Sequence, residues 1–272
     1  MTVDELLVHA QKYIHKDQAK LLLADLLNKN PLELLNFLNS SVDNEIANEY
    51  KKRVEAIKEG KPLQYVIGNV NFYGNKFLVN EDVLIPRFET EELVENTLKY
   101  IDKLFEGTVK IIDLGSGSGN IGLTLKQKLP NAEVDLIDIS PSALEMSKKN
   151  AEEFKLDANI YKSDFFDQVE GKYDVVISNP PYIKDGEEIE DIVKNNEPEL
   201  ALFAGVDGLD CYKKIFKGIK GHLNNRFLIA LEIGKDQKED LIKIINDTFD
   251  KVRIDVLQDL SERDRMIFIY NE

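Results

Sequence analysis

At 272 residues the chain is long enough for one full α/β domain and a smaller companion with ample core. Its 35 Lys and Arg against 50 Asp and Glu give a net charge of −15. That balance offers little of the counterion release behind non-specific nucleic-acid binding, and it disfavours anionic lipid. Cys211 is the lone cysteine, which excludes a disulfide framework and a thiolate zinc site, and His9, His15 and His222 match no ligand spacing.

Residues 1 to about 60 read as helices with tight joints. Leu6, Leu7 and Ala10 begin one apolar face, and Ala19, Leu22, Leu23, Leu26 and Leu27 continue at helical spacing. Pro31 opens a short third helix through Leu38, and a fourth, 42–58, closes at Gly60. Residues 1–73 hold nine basic and ten acidic side chains, so the acidic excess lies almost wholly downstream. Gly68, Gly74 and Asn75 then punctuate short apolar stretches, the signature of a hairpin. Thr90 is placed to cap a helix over 91–105. The expected organisation is a helical bundle at 1–70, a hairpin linker at 71–88 and an α/β domain at 89–272.

From residue 109 strands and helices alternate. Strands are expected at 109–114, 133–138, 158–162, 173–178 and 226–232, and helices at 119–128, 141–155, 208–220 and 236–248. Two last strands, 251–257 and 264–270, are close enough to pair as an antiparallel hairpin. Such alternation predicts a parallel sheet with helices on both faces and a ligand at the carboxyl ends of its strands. Asp113, Asp138, Asp164 and Asn179 all fall at such ends and are read as one site, with Asp113 placed to organise the loop that follows it and not to bind a ligand directly.

Two motifs carry the chemistry. Asn179-Pro180-Pro181-Tyr182 directly follows a buried strand. Each proline fixes φ, donates no N–H and holds its predecessor extended, so Asn179 Oδ1 and the Pro180 carbonyl can both face outward as acceptors. A flat NH₂ group, with two protons to donate, is their natural guest. An ordinary turn is the bland alternative. Upstream, Asp113-Leu114-Gly115-Ser116-Gly117-Ser118-Gly119 links a strand to a helix with glycine at alternate positions. Gly117, Gly119 and Gly122 also match the dinucleotide fingerprint, with Asp138 downstream at the position of a ribose-binding acid. The additional Gly115 and the preceding Asp113 favour S-adenosylmethionine over a pyrophosphate, and no hydride-transfer constellation follows.

Over nearly its whole length the chain resembles peptide chain release factor glutamine methyltransferases. The resemblance rests on Gly60-Lys61-Pro62-Leu63-Gln64-Tyr65-Val66-Ile67-Gly68, Phe72-Tyr73-Gly74, Val83-Leu84-Ile85-Pro86-Arg87 and Glu89-Thr90-Glu91, besides the two motifs above. Glu197-Pro198, Ala201-Leu202-Phe203, Gly205, Asp207-Gly208-Leu209, Glu232-Ile233-Gly234, Gln237, Asp259-Leu260 and Arg263-Asp264-Arg265 extend it. Phe88 departs from the usual second proline after the arginine. Asp164-Phe165-Phe166 stands where some members carry tryptophan.

The resemblance implies a seven-stranded Rossmann-like class I methyltransferase domain with an antiparallel last strand, acting with S-adenosylmethionine on the glutamine of the Gly-Gly-Gln motif of release factors. It implies Asn179 and Pro180 as the catalytic pair, with Pro181 and Tyr182 completing the substrate site. Gly115, Ser116, Gly117, Ser118 and Gly119 would contact the methionine portion, Asp138 the ribose, and Asp164 and Phe165 the adenine, with Asn179 also beside the cofactor. Tyr182 packs on the glutamine or serves as a wall. Arg87 and Glu197 border the substrate entrance or pair at the surface. No metal, no membrane and no direct nucleic-acid contact are expected, and a cytoplasmic monomer is. The rival within enzymes is methylation of an exocyclic amine of adenine or guanine, which offers the same flat NH₂ but finds no basic, aromatic-rich recognition segment here. A non-catalytic nucleotide-binding protein would leave the Asn179–Tyr182 loop without a purpose.

Overall fold

The computed structural model describes residues 1–271, which divide into two compact units, one of residues 1–69 and 190–196 and the other of residues 70–189 and 197 onward. In the first unit, α1 (Val3–Ala10) starts at a capping box in which Thr2 and Glu5 satisfy each other's backbone N–H. α2 (Lys16–Leu26) and α3 (Asn44–Lys58) supply the rest of the bundle core. Tyr50 is fully buried there and donates its hydroxyl to the Ala19 carbonyl. The segment expected as a short helix after Pro31 is a 3₁₀ turn, Glu33–Phe37. α4 (Leu63–Ile67) was not expected. It is a single turn ended by Gly68 at φ 88°, too short to show a period.

The second unit begins at Val70, within the hairpin of β1 (Asn69–Phe72) and β2 (Asn75–Leu78). Tyr73 and Gly74 between them both take positive φ, as two-residue hairpin turns favour. The hairpin seats on its neighbours through Phe77, edge-on to Phe154, and through Asn150, whose side-chain amide bonds both backbone groups of Leu78.

Next comes α5 (Phe88–Leu104), which begins earlier than expected. Thr90 therefore lies within its first turn instead of capping it, and its hydroxyl donates to Glu232. The sheet is built from β3 (Lys110–Leu114), β4 (Glu133–Asp138), β5 (Asn159–Lys162) and β6 (Tyr173–Ser178), with α6 (Asn120–Lys128) and α7 (Pro141–Phe154) between strands. After β6, α8 (Asp191–Asn196) belongs to the first unit, where Asn196 donates to the Gly60 carbonyl. It buries no residue, which is why no apolar period announced it. α9 (Asp210–Gly218), β7 (Leu223–Glu232), α10 (Lys238–Thr248), β8 (Arg253–Gln258) and β9 (Asp264–Tyr270) complete the chain.

The strand order is β5-β4-β3-β6-β7-β9-β8, parallel from β5 to β7, with β9 antiparallel between β7 and β8. Neighbouring residues of one strand enter opposite cores, as the two-residue period of a strand requires. Ile111, Val175 and Leu228 pack with α5 and α6, whereas Ile112, Val176 and Ile229 pack with α9 and α10. The sheet is thus buried on both faces, and its central strands read as continuous apolar runs. From β3 the chain proceeds first toward β5 and then returns to β6 on the other side. That reversal opens a crevice at the carboxyl ends of β3 and β6. Among the described residues no helix is long and apolar enough to cross a membrane.

Candidate active site

The loop from β3 to α6 lines one side of that crevice. Gly115, Gly117 and Gly119 have φ of 71°, 55° and 79°, a region L side chains rarely enter. Their surroundings differ. A Cβ at Gly115 or Gly117 would meet nothing within 4 Å, so the outer face of the loop is bare. At Gly119 it would press on Leu123 and Leu136 at 3.0 Å, so this glycine lets α6 seat against the sheet.

The loop is held from behind by nearby groups. Gly117 N–H donates to Asp138 Oδ2 and Ser140 N–H to Asp138 Oδ1, both at 2.9 Å. Ser147 Oγ donates to the Gly117 carbonyl and Asn150 Nδ2 to the Ser118 carbonyl. Asp113 is fully buried beneath, where Oδ2 accepts from Gly122 N–H at 2.9 Å and Oδ1 has no partner among the described residues. Burial pushes its carboxyl up to about 7. Burial also raises Asp138, against the pull of its backbone N–H donors.

A cavity with about 1130 Å³ of empty space, its solvent-open mouth included, joins Gly115–Ser118, Asp138, Asp164, Phe165, Asn179, Pro181 and Thr90. Residues from four strand exits thus share one cleft, and all of its lining comes from the second unit. Asp164 is ion-paired with Lys214 at 2.8 Å. Phe165 takes φ 47°, its carbonyl accepting from Ser163 Oγ at 2.6 Å. Gly119, Pro180 and Tyr182 do not line this cavity. Pro180 is buried, and the Tyr182 hydroxyl turns instead toward Glu232 and Arg265, 3.5 Å from each.

The Asn179 loop is anchored by residues remote in sequence. Asn179 Nδ2 donates to Thr90 Oγ1 at 3.1 Å, and Thr90 donates to Glu232 Oε2 at 2.6 Å. With Nδ2 turned to Thr90, Oδ1 points the other way and is an acceptor open to a ligand. Gln237 Nε2 donates to the carbonyls of Tyr182 and Gly208 at 3.0 and 2.9 Å. A Cβ on Gly208 would lie 2.5 Å from the Tyr182 carbonyl, so only glycine permits this approach. Ile183 exchanges backbone hydrogen bonds with Leu202 and Ala204.

Arg87 and Glu197 form an ion pair, but not one of the surface kind. The Glu197 side chain is 2% exposed and also accepts from Ile85 N–H at 3.1 Å, tying the approach to α5 to the segment after α8. Cys211 lines the cavity, half-buried, with its thiol pushed up to about 11 by burial.

Thr90, Glu232, Gln237 and Gly208 support the loop, a role that reading the sequence missed. Thr90 reads as a helix cap and Glu232 as a strand end; the one cue was a carboxylate closing an apolar strand.

A parallel sheet carrying one antiparallel strand at this position, with a bare glycine loop at its reversal, defines the Rossmann-like methyltransferases that use S-adenosylmethionine. A solved methyltransferase from Pyrococcus furiosus shares the fold at a TM-score of 0.53 and 17% identity, covering 81% of this chain and 96% of that one. A Thermus thermophilus 16S rRNA methyltransferase, solved with AdoMet and guanosine, gives 0.52 at 18% identity, over 75% of this chain and 50% of that one. The family profile described as methyltransferase small domain matches residues 88–197, and that described as PrmC N-terminal domain matches residues 5–68. The release factor glutamine methyltransferase of Bacillus cereus is 34% identical over 98% of this chain and 99% of its own length. That of Bacillus subtilis is 35% identical over 98% and 96%, and that of Streptococcus pneumoniae 39% over 77% and 75%. The chain belongs to the release factor glutamine methyltransferase family.

Proposed function

We propose that this protein transfers a methyl group from S-adenosylmethionine to the side-chain amide nitrogen of the glutamine in the Gly-Gly-Gln motif of peptide chain release factors. The observation that carries the reading is the Asn179–Thr90 hydrogen bond, which turns the amide's NH₂ toward Thr90 and so leaves its oxygen as the acceptor for the cleft. The chemistry needs that polarity. A carboxamide nitrogen is a poor nucleophile because its lone pair is delocalised into the carbonyl. Asn179 Oδ1, which belongs to the cavity lining, accepts one of its N–H bonds, and the carbonyl of Pro180, a residue otherwise buried and outside that lining, is the second acceptor this reading requires, so that the nitrogen is fixed in position for attack. As the nitrogen gains positive charge, the same oriented acceptors stabilise it. No strong general base is required, since the proton leaves after the nitrogen becomes cationic.

The residues present fit the cofactor. The bare face at Gly115 and Gly117, with Ser116 and Ser118, takes the methionine portion, and Gly119 holds the loop's end. Asp138 keeps unshared lone pairs on both oxygens for the ribose hydroxyls. Asp164 and Phe165 flank the adenine. When bound, S-adenosylmethionine supplies a methyl group activated on a sulfonium.

Tyr182 serves as a wall that braces the loop, its hydroxyl being engaged with Glu232 and Arg265. The first unit, near-neutral in charge and absent from the cavity lining, docks a part of the release factor away from the tripeptide. Removal of residues 1–70 then weakens methylation of the whole factor far more than of a short Gly-Gly-Gln peptide; equal losses would refute docking. The chain works as a cytoplasmic monomer without direct nucleic-acid contact.

The test is incubation with labelled cofactor and purified release factor, DNA and RNA, with the product localised by mass spectrometry. A methyl group on the glutamine side chain is expected. Label in nucleic acid with none on the protein overturns the reading in favour of an exocyclic amine.

A further inference from the structure

Glu232 closes β7 with only 2% of its surface exposed, and a carboxylate so placed must have its oxygens met. Oε2 lies 2.6 Å from Thr90 Oγ1, and Oε1 lies 3.5 Å from the Tyr182 hydroxyl. An ionised carboxylate has no hydrogen to give, so Thr90 must donate to it. A hydroxyl has only one hydrogen. With that committed, Thr90 Oγ1 can meet the Asn179 amide, 3.1 Å away, solely as an acceptor. The amide then turns its NH₂ toward Thr90 and its oxygen away.

We propose that Thr90 and Glu232 are positioning residues that fix the polarity of the Asn179 amide, so that it presents an acceptor and not a donor to the substrate. The inference rests on the proposed role of Asn179 Oδ1 in holding the substrate NH₂. The opposite polarity would be destructive, because an Asn179 N–H would then face the substrate's own N–H bonds.

The state of Glu232 decides between the two. From α5 it faces Glu89 and Thr90, from the loop after β6 Tyr182, from β9 Arg265, and from α9 Tyr212, whose hydroxyl donates to the Glu232 carbonyl at 2.8 Å. Burial is the largest influence and carries the carboxyl up to about 7, with Thr90 and Arg265 pulling down and Glu89 pushing up. Below that pH a protonated Oε2 can donate to Thr90, whose hydrogen is then free for Asn179 Oδ1, and the chain reverses. Above it only the productive direction exists. The turnover rate accordingly rises with pH through about 7 and levels once Glu232 is ionised.

Thr90→Val keeps the shape while removing donor and acceptor. Measured on the full chain with release factor, it is expected to lower kcat by about 10- to 100-fold, the scale of one misdirected polar contact. Cofactor affinity by calorimetry stays within about threefold, as lining contacts elsewhere are untouched. The share of the pH rise that belongs to Glu232 disappears, while any share from Asp113, which titrates in the same range under the glycine loop, persists in both proteins. Thr90→Ser, which restores the hydroxyl, recovers kcat to within a few-fold, and Glu232→Gln gives a low rate without the Glu232 rise. Thr90→Val with wild-type kcat and an unchanged pH profile overturns the inference. So does an equal fall in rate and cofactor affinity that serine does not rescue. Asn179→Ala separates the two levels: if it stays active, the role of Asn179 itself fails, whereas if it is inactive beside a normal Thr90→Val, only the positioning fails.

Discussion

The two loops of the cleft are held in opposite ways. The glycine loop is secured from within a short stretch of chain: Asp113, Asp138, Ser147 and Asn150 all come from the strand before it or the strand and helix that follow. The Asn179 loop depends on distant segments, with Thr90 89 residues away, Gln237 55 residues beyond Tyr182, and Glu232 reached through Thr90. A loop braced locally can be recognised from spacing alone. One braced across the fold advertises its acceptors but hides what aims them. In the function proposed above, the first binds a common cofactor and the second sets which nucleophile is accepted.

That division can be broken or sharpened by substitution. Asn179→Ala has the largest expected effect, a fall in kcat of about 10²- to 10³-fold, as for loss of an oriented dipole at a developing charge. Cofactor affinity should stay within a few-fold, and a parallel loss of both would erase the contrast between the loops. Asp138→Ala should do the reverse. Losing a carboxylate that receives two backbone N–H bonds and faces the cavity should weaken cofactor binding about 10- to 100-fold by calorimetry. Turnover at saturating cofactor should change far less.

Gly208→Ala comes next. Its Cβ would lie 2.5 Å from the Tyr182 carbonyl at a φ of 72°, so the loop must shift. Unfolding should register a loss of about 1–3 kcal/mol, and kcat should fall more than cofactor affinity. Smallest is the effect expected at Cys211. With its thiol raised to about 11, alkylation at neutral pH should run well below the rate of free cysteine, as followed by mass spectrometry. Fast labelling would show the thiol to be less buried than the cleft makes it.

Much of the fold was legible because its central strands are apolar runs followed closely by acids or Asn179, and its longer helices carry clear periods. Segments without a period escaped: α4 is a single turn and α8 buries nothing. Thr90 misled for a different reason. Threonine ahead of glutamate is a good cap, but α5 starts three residues earlier than expected, and a buried carboxylate is a stronger partner for the hydroxyl. In the cleft, Asp113, Asp138, Asp164 and Asn179 were visible as polar residues at strand exits. Asp113, expected to organise the glycine loop, does accept from Gly122 N–H behind it, while the other three line the cavity.

The most direct measurement is a crystal structure of the protein with S-adenosylhomocysteine and a Gly-Gly-Gln peptide. The glutamine side-chain nitrogen should lie within about 3 Å of both Asn179 Oδ1 and the Pro180 carbonyl, with Asn179 Nδ2 still on Thr90. A glutamine that turns its carbonyl to the loop, or an Asn179 that turns its NH₂ into the cleft, would contradict the account.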